Sequence, residues 1–298
     1  MSVSHKTIGI LHPGSMGAAV GRQAIVGGAR VLWLPHGRGS ATAQRAEAAG
    51  LEPAADLFSL AEACEVIISV CPPAAAGDVA EQVAQSPFRG IYVDANAISP
   101  ERTQYIAALL SERGITVVDG GIVGPPPRWP GGATWLYLSG PDRAVRQVNE
   151  LFAGSPLEPV LIAGPVGRAS ALKLAFASYH KLSYVLAAQS YALAHGHGVL
   201  NELVELAGRI LPQTPLGRPD QLVTAGPRAW RWAPEMREIA EACQSAGISA
   251  DYLGAAAATL ERWTVHKDDN TVSLEQLIAD LQDLAPHLRA VTDHPQAG

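Results

Sequence analysis

At 298 residues, with 48% hydrophobic and 17% charged positions, the chain has a globular composition and exceeds the length that one hydrophobic core usually supports, so two domains are expected. Lys+Arg 22 against Asp+Glu 28 gives a formal charge of −6 without any like-charge block, which excludes the electrostatic footprint of a nucleic-acid binder. Cys64, Cys71 and Cys243 lack paired spacing; they read as reduced thiols of a cytoplasmic protein, with neither a disulfide framework nor a metal site.

The opening MSVSHKTIGILHPGSMG holds a short apolar run ending in Pro and Gly, neither a signal peptide nor a membrane span. Short Val/Ile-rich runs then alternate with Ala-rich segments. Strands are predicted near 7–11, 30–34, 66–70, 91–94, 115–118, 134–138 and 159–162, and helices over 16–27, 41–49, 74–85 and 100–113. Ser99-Pro100-Glu101 opens the last of these helices with a cap, a first-turn proline and a first-turn acid. From about residue 166 the pattern becomes Ala/Leu-rich and helical, broken by Gly and Pro at 196–198, 212–219 and 226–227. The expected architecture is an α/β fold: a Rossmann-type, doubly wound, mostly parallel sheet over 1–165, then an all-α domain over 166–298. The apolar stretch 171–195 carries Lys173, His180 and Lys181, so it reads as a buried helix of a soluble protein rather than a membrane span.

The strongest local signal is Ile8-Gly9-Ile10-Leu11-His12-Pro13-Gly14-Ser15-Met16-Gly17, a strand running through a tight turn into a helix. Such a turn aims backbone N–H groups and a helix N-terminus at a pyrophosphate. The usual G-x-G-x-x-G is incomplete, because His12 stands at its first glycine; Gly14 suits close approach to phosphate and Gly17 close helix–strand packing. A turn needed only for chain reversal would use the same glycines. The second strand ends Leu34-Pro35-His36-Gly37-Arg38-Gly39-Ser40, without the acid that selects NAD; Arg38 and Ser40, backed by Thr42 and Arg45, suit a 2′-phosphate, so NADP(H) is the expected cofactor. Ligands in open α/β sheets lie outside the carboxyl ends of strands, which singles out Cys71-Pro72 after one strand and Asn96 after another. Asp94 suits tying down loop backbone.

With these pieces in order the chain resembles the β-hydroxyacid dehydrogenase superfamily, which includes 3-hydroxyisobutyrate and 6-phosphogluconate dehydrogenases and the related imine reductases. Pro13 to Gly17 is similar to its GLGxMG, Val93 to Pro100 to its VDxSTxSP, Asp119 to Gly124 to its substrate-binding DAPVSGG, and Gly164 to Lys173 to its GxxGxGxxxKxxNN. Ala229 to Met236, AWRWAPEM, resembles a less characterised branch. The resemblance implies that a long helix from about 168 to 195 joins the domains, that the C-terminal helices build a homodimer, and that Lys173 is the acid/base at the substrate oxygen. A lysine lowered in pKa by burial suits that work; a helix lysine reaching toward solvent is the bland alternative.

Departures from the family pattern limit the substrate. Ala177 replaces the family's substrate-orienting Asn, and Val123 replaces a Ser in the loop Ile122-Val123-Gly124, which continues into Pro125-Pro126-Pro127-Arg128-Trp129. The family's second-domain lysine aligns with Pro234. A standard small β-hydroxy acid would lose polar contacts at these places. Helical spacing puts Phe176, Ala177, His180, Lys181 and Tyr184 on the stripe of Lys173 or beside it, so His180 or Tyr184 is a candidate second polar group, unless these rings pack only in a core. Among the tryptophans, Trp129 and Trp232 are the candidates for an enlarged apolar pocket wall. Three readings stand: a carbonyl or hydroxy-compound oxidoreductase acting on a small molecule, an imine reductase, and an NADP(H)-binding sensor without turnover.

Overall fold

The computed structural model describes residues 6–127 and 134–282. They fall into two compact units that divide at Ala175 and Phe176.

The first unit is built on eight strands: β1 Thr7–Leu11, β2 Arg30–Trp33, β3 Glu52–Pro53, β4 Val66–Ser69, β5 Ile91–Asp94, β6 Thr116–Val123, β7 Thr134–Ser139 and β8 Leu157–Leu161. Their order is β3-β2-β1-β4-β5-β6-β7-β8, parallel throughout except for the antiparallel β6–β7 pair. The winding reverses between β1 and β4, which creates the crevice at strand C-termini where such sheets take ligands. Helices α1 Ser15–Val26, α2 Ser40–Ala49, α3 Leu57–Ala63, α4 Ala76–Gln85, α5 Pro100–Ser111 and α6 Asp142–Glu150 cover the sheet. α7, Arg168–Gly196, begins in this unit and continues into the next.

Strand periodicity splits the core. Ile8 and Ile10 join Val31, Ile68 and Val93 in one cluster, while Ile67, Leu32 and Tyr92 join Leu60 and Ile106 in another. Gly9 lies between Ile8 and Ile10 because a Cβ there would come within 2.6 Å of Leu60 Cδ2. The predicted strands and helices are present with small shifts at their ends, except that β6 continues through Gly120-Gly121 to Val123. Short β3, α3 and α6 were not foreseen. α6 buries only Ala144, Val145 and Val148, and its charged remainder masks a helix.

The second unit is helical: the remainder of α7, then α8 Leu200–Ile210, α9 Pro219–Leu222, α10 Ala229–Ser245, α11 Asp251–Glu261 and α12 Leu274–Gln282, with 3-10 turns at Val223–Arg228 and Thr264–His266. Trp263, two residues past α11, is fully buried and its indole N–H donates to the Leu277 carbonyl at 3.0 Å, which ties the segment after α11 to α12. Among the described residues no helix is long and apolar enough to cross a membrane.

Candidate functional site

The turn between β1 and α1 carries the glycine motif. His12, at the position of the missing glycine, has φ +68°, a conformation that costs a non-glycine residue roughly 1–2 kcal/mol. Gly17 is demanded by packing, since a Cβ would lie 2.4 Å from the His12 carbonyl oxygen. Gly14 is different: its φ is −66° and a Cβ would meet nothing within 4 Å. Neither backbone nor core requires glycine there, so its bareness leaves room outside the protein. It is the N-cap of α1 and makes no side-chain cap bond, and the first turn has no acidic residue. A helix start of this kind leaves N–H groups and positive dipole for an anion.

Arg38 follows β2, and its charge adds to desolvation in pushing the His12 imidazole down to about 4, so the two loops face one another. Buried Nδ1 of His12 and buried Nε of Arg38 have no hydrogen-bond partner. Desolvation also lowers Arg38 itself. Ser40 opens α2 behind the bare N-cap Gly39, and Arg45 donates to the Thr42 hydroxyl at 3.2 Å. An open helix start beside a guanidinium whose Nε has no partner fits the phosphates of a nicotinamide dinucleotide.

At the next strand ends the polar groups satisfy one another. The Cys71 N–H donates to Asn96 Oδ1 at 2.6 Å, and Asn96 Nδ2 donates to Ser69 Oγ at 3.2 Å. Asn96 thus ties the end of β4 to the end of β5, leaving Pro72 at the start of a short 3-10 turn. Burial pushes the Cys71 thiol up to about 11, so it stays neutral. The backbone N–H of Asn96 donates to Asp94 Oδ1 at 3.0 Å, which is the loop-tying role expected of Asp94. The Asn96 carbonyl accepts from Lys173 Nζ at 3.1 Å.

Lys173 reaches that carbonyl because α7 lies close on β6. A Cβ on Gly121 would sit 2.6 Å from the Ala169 oxygen and 3.2 Å from Lys173 Cβ. The anchor is Asp119, fully buried on β6. Its Oδ2 accepts from Ser139 Oγ (3.0 Å), Gly167 N–H (2.9 Å) and Ser170 N–H (3.0 Å), and its Oδ1 from Ser170 Oγ (2.6 Å). A carboxylate here also complements the α7 dipole. Burial brings the Lys173 amine down to about 8 against the opposing charges of Asp94 and Asp119. An amine with that pKa is poised to give or take a proton near neutrality. In the sequence Asp119 and Ser170 stand only inside motif stretches; the signal for Asp119 is an acid on a buried strand directly before Gly-Gly.

Of the predicted substrate loop, Ile122 is buried, Val123 is half-buried and Gly124 turns at φ +123°. Trp129 lies outside the described residues. In the second unit Ala177 is buried, and His180, Tyr184 and Trp232 form one aromatic cluster. The His180 ring stacks on Phe176 (5.7 Å) and meets Tyr184 (5.3 Å) and Trp232 (6.3 Å) edge-on; Tyr184 and Trp232 meet at 5.3 Å. His180 is solvent-exposed, with its pKa lowered by desolvation and then by Lys181 and Arg228. Lys181 pairs with Glu235 and lies 5.8 Å above the Trp232 ring. Pro234 sits inside α10.

The fold and the first unit's site define a class, a Rossmann-type nicotinamide-dinucleotide-binding protein with a helical second unit. Residues 7–155 match the NAD binding domain of 6-phosphogluconate dehydrogenase, and residues 194–263 match a domain of unknown function, DUF1932. The chain belongs to that NAD-binding family, and with it to the β-hydroxyacid dehydrogenase-like superfamily. An uncharacterized 28.5 kDa protein in the 7S RNA 5′ region of Methanothermus fervidus is 29% identical over 170 residues, 57% of this chain and 64% of that protein. The chain therefore spans less than two thirds of that relative. Mycobacterium tuberculosis 3-hydroxyisobutyrate dehydrogenase, solved with L-serine, shares the fold at TM-score 0.69 and 17% identity, covering 93% of this chain and 99% of that one. A reductive aminase from Aspergillus terreus, solved with NADPH and ethyl levulinate, shares it at TM-score 0.55 and 18% identity, covering 94% and 100%.

Proposed function

We propose that the protein is an NADP(H)-dependent oxidoreductase that moves a hydride to or from a carbonyl or hydroxy compound other than a standard small β-hydroxy acid. The observation that carries this reading is Lys173, its amine brought to about 8 and held at 3.1 Å by the Asn96 carbonyl, just beyond the carboxyl end of β5. The backbone from His12, Pro13 and Gly14 into Ser15, Met16 and Gly17 holds the pyrophosphate, Arg38 and Ser40 hold the 2′-phosphate, and Cys71, Pro72 and Asn96 shape the loops beside the nicotinamide. When bound, the nicotinamide supplies or accepts the hydride. Lys173 gives the proton to the substrate oxygen in reduction and takes it back in oxidation.

The substrate side follows from what is absent. Ile122, Val123 and Gly124 offer no side-chain hydrogen bond to a carboxylate, and Ala177 offers none to a hydroxyl. Tyr184 and Trp232, with His180, favour an apolar or ring-bearing substrate. That apolar character also favours a second reading, imine reduction; a cationic Lys173 opposes it, because an iminium beside an ammonium is repelled.

The same reading includes a small-molecule substrate, a cytoplasmic location and a homodimer formed through the helical unit. The dimer is supported by Tyr179, Leu186 and Leu193, spaced seven apart along α7 and 76%, 65% and 64% exposed. The location is supported by three free thiols, two of them buried.

The test is calorimetric titration of the purified protein with NADPH and NADH, then an absorbance screen for NADPH oxidation over ketones, aldehydes, keto acids and cyclic imines. NADPH binding about tenfold tighter than NADH, with turnover on ketones or aldehydes, is expected. Turnover confined to imines would replace the first reading with the second. Tight binding with no turnover on any class would make the protein a dinucleotide sensor.

A further inference from the structure

Two buried carboxyls sit side by side: Asp94 at the end of β5 and Asp119 in the middle of β6 are register partners across the parallel ladder, and both are fully buried. Two such neighbours do not both ionise cheaply in a low-dielectric interior, so the proton goes to the one whose charge is less well solvated. The hydrogen bonds decide which. Asp119 receives the donors of Ser139, Gly167 and Ser170 on both of its oxygens. Asp94 is served by Asn96 alone, whose backbone N–H donates to Oδ1, while its buried Oδ2 has no partner. Asp94 is therefore the carboxyl whose charge is the less well satisfied.

The charged and titratable groups around it are Asp119 from β6, Lys173 from α7, and Tyr92 and Cys71, whose ionisation the Asp94 charge opposes. Burial first, with Asp119 adding and the Asn96 N–H and Lys173 opposing, brings Asp94 up to about 7. Lys173 is stapled two residues beyond Asp94, on the Asn96 carbonyl, in the same hydrogen-bonded turn.

We propose that Asp94 is a positioning residue for the proton on Lys173: its ionised form keeps the amine charged in a strand-end site that would otherwise discharge it. Asp119 is committed by its four hydrogen bonds to Ser139 and the start of α7, whereas Asp94, with one oxygen unpartnered, supplies the part that changes. As pH falls and Asp94 takes up its proton, the ammonium loses that support. The proposal rests on Lys173 as the acid of the reaction, yet the coupling belongs to the protein alone and is readable without any substrate.

The experiment is competitive acetylation of the full chain with acetic anhydride over a pH series, with the Lys173 peptide quantified by mass spectrometry. Asp94→Asn keeps the Oδ1 acceptor for the Asn96 N–H, removes the charge and puts an amide NH2 where the unpartnered Oδ2 stood. The expected result is a Lys173 midpoint about one pH unit lower than in the wild type. A folded Asp94→Asn protein with an unchanged midpoint overturns the proposal, and a lower melting temperature with an unchanged midpoint does so equally. Should Asp94→Asn fail to fold, the reciprocal variant decides. Coupling is mutual, so Lys173→Met must raise the Asp94 midpoint, followed by carbon NMR of the carboxyl, by a similar amount. A static Asp94 in that variant overturns it. Failure here leaves the oxidoreductase reading standing, because the labelling reports ionisation and not turnover.

Discussion

The first unit surrounds Lys173 with polar groups whose partners are fixed: Asn96 holds its amine, Asp119 holds the start of its helix, and Gly121 lets that helix come close. The second unit surrounds Trp232 with faces and edges of rings, His180 and Tyr184 among them, and one ion pair, Lys181 with Glu235. Directional bonds set the proton of a reacting group to within a few tenths of an ångström, whereas ring contacts tolerate shift and select by shape. Under the proposed function the contrast would separate a unit organised for chemistry from one organised for selection, and each substitution below tests one side of it.

The largest effect falls on the first unit. Lys173→Ala is expected to lower turnover by roughly two to four orders of magnitude while leaving NADPH affinity nearly unchanged, as stopped-flow turnover and calorimetry would show. Equal losses in both would move Lys173 from chemistry to binding. Next, Arg38→Ala is expected to weaken NADPH by about ten- to a hundredfold and NADH hardly at all in paired titrations, because a charge-assisted contact to the extra phosphate is what distinguishes them. Gly121→Ala forces a Cβ within 2.6 Å of the Ala169 oxygen and should cost about 1–3 kcal/mol in denaturant unfolding, with kcat falling alongside as α7 is pushed off β6. The smallest effect belongs to the second unit: Trp232→Phe should raise KM by about two- to tenfold with kcat nearly kept, since it trims edge contacts worth about 0.5–1.5 kcal/mol each. A kcat loss there matching that of Lys173→Ala would dissolve the contrast.

The same division governs what could be read from sequence. The alternation of Val/Ile runs with helical segments exposes the sheet, because strand and helix periods are local properties. The glycine turn, Arg38 and the family's lysine position at Lys173 are likewise carried by short contiguous stretches. Asp119 was legible only as a letter of a motif, since its four donors come from Ser139, Gly167 and Ser170, brought in by β7 and α7. Asn96 was expected beside the nicotinamide, and its amide proves committed to Ser69 and Cys71, partners more than twenty residues away in sequence. Short β3 escaped because two residues show no period, and α6 because its single apolar stripe, Ala144, Val145 and Val148, is set among charged residues. In the helical unit, spacing along α7 correctly grouped His180 with Tyr184, whereas their contacts with Trp232 on α10 required the fold.

The central claim is that Lys173 holds the proton that a substrate oxygen receives, and the pH dependence of carbonyl reduction at saturating NADPH tests it most directly. Because the amine pKa lies near 8, the acid form is full below it and disappears above it. The account predicts that kcat for reduction falls about tenfold per pH unit above about pH 8, and that the remaining activity of Lys173→Ala lacks this limb. A wild-type profile that stays flat through that range, or a limb that survives in Lys173→Ala, would contradict it.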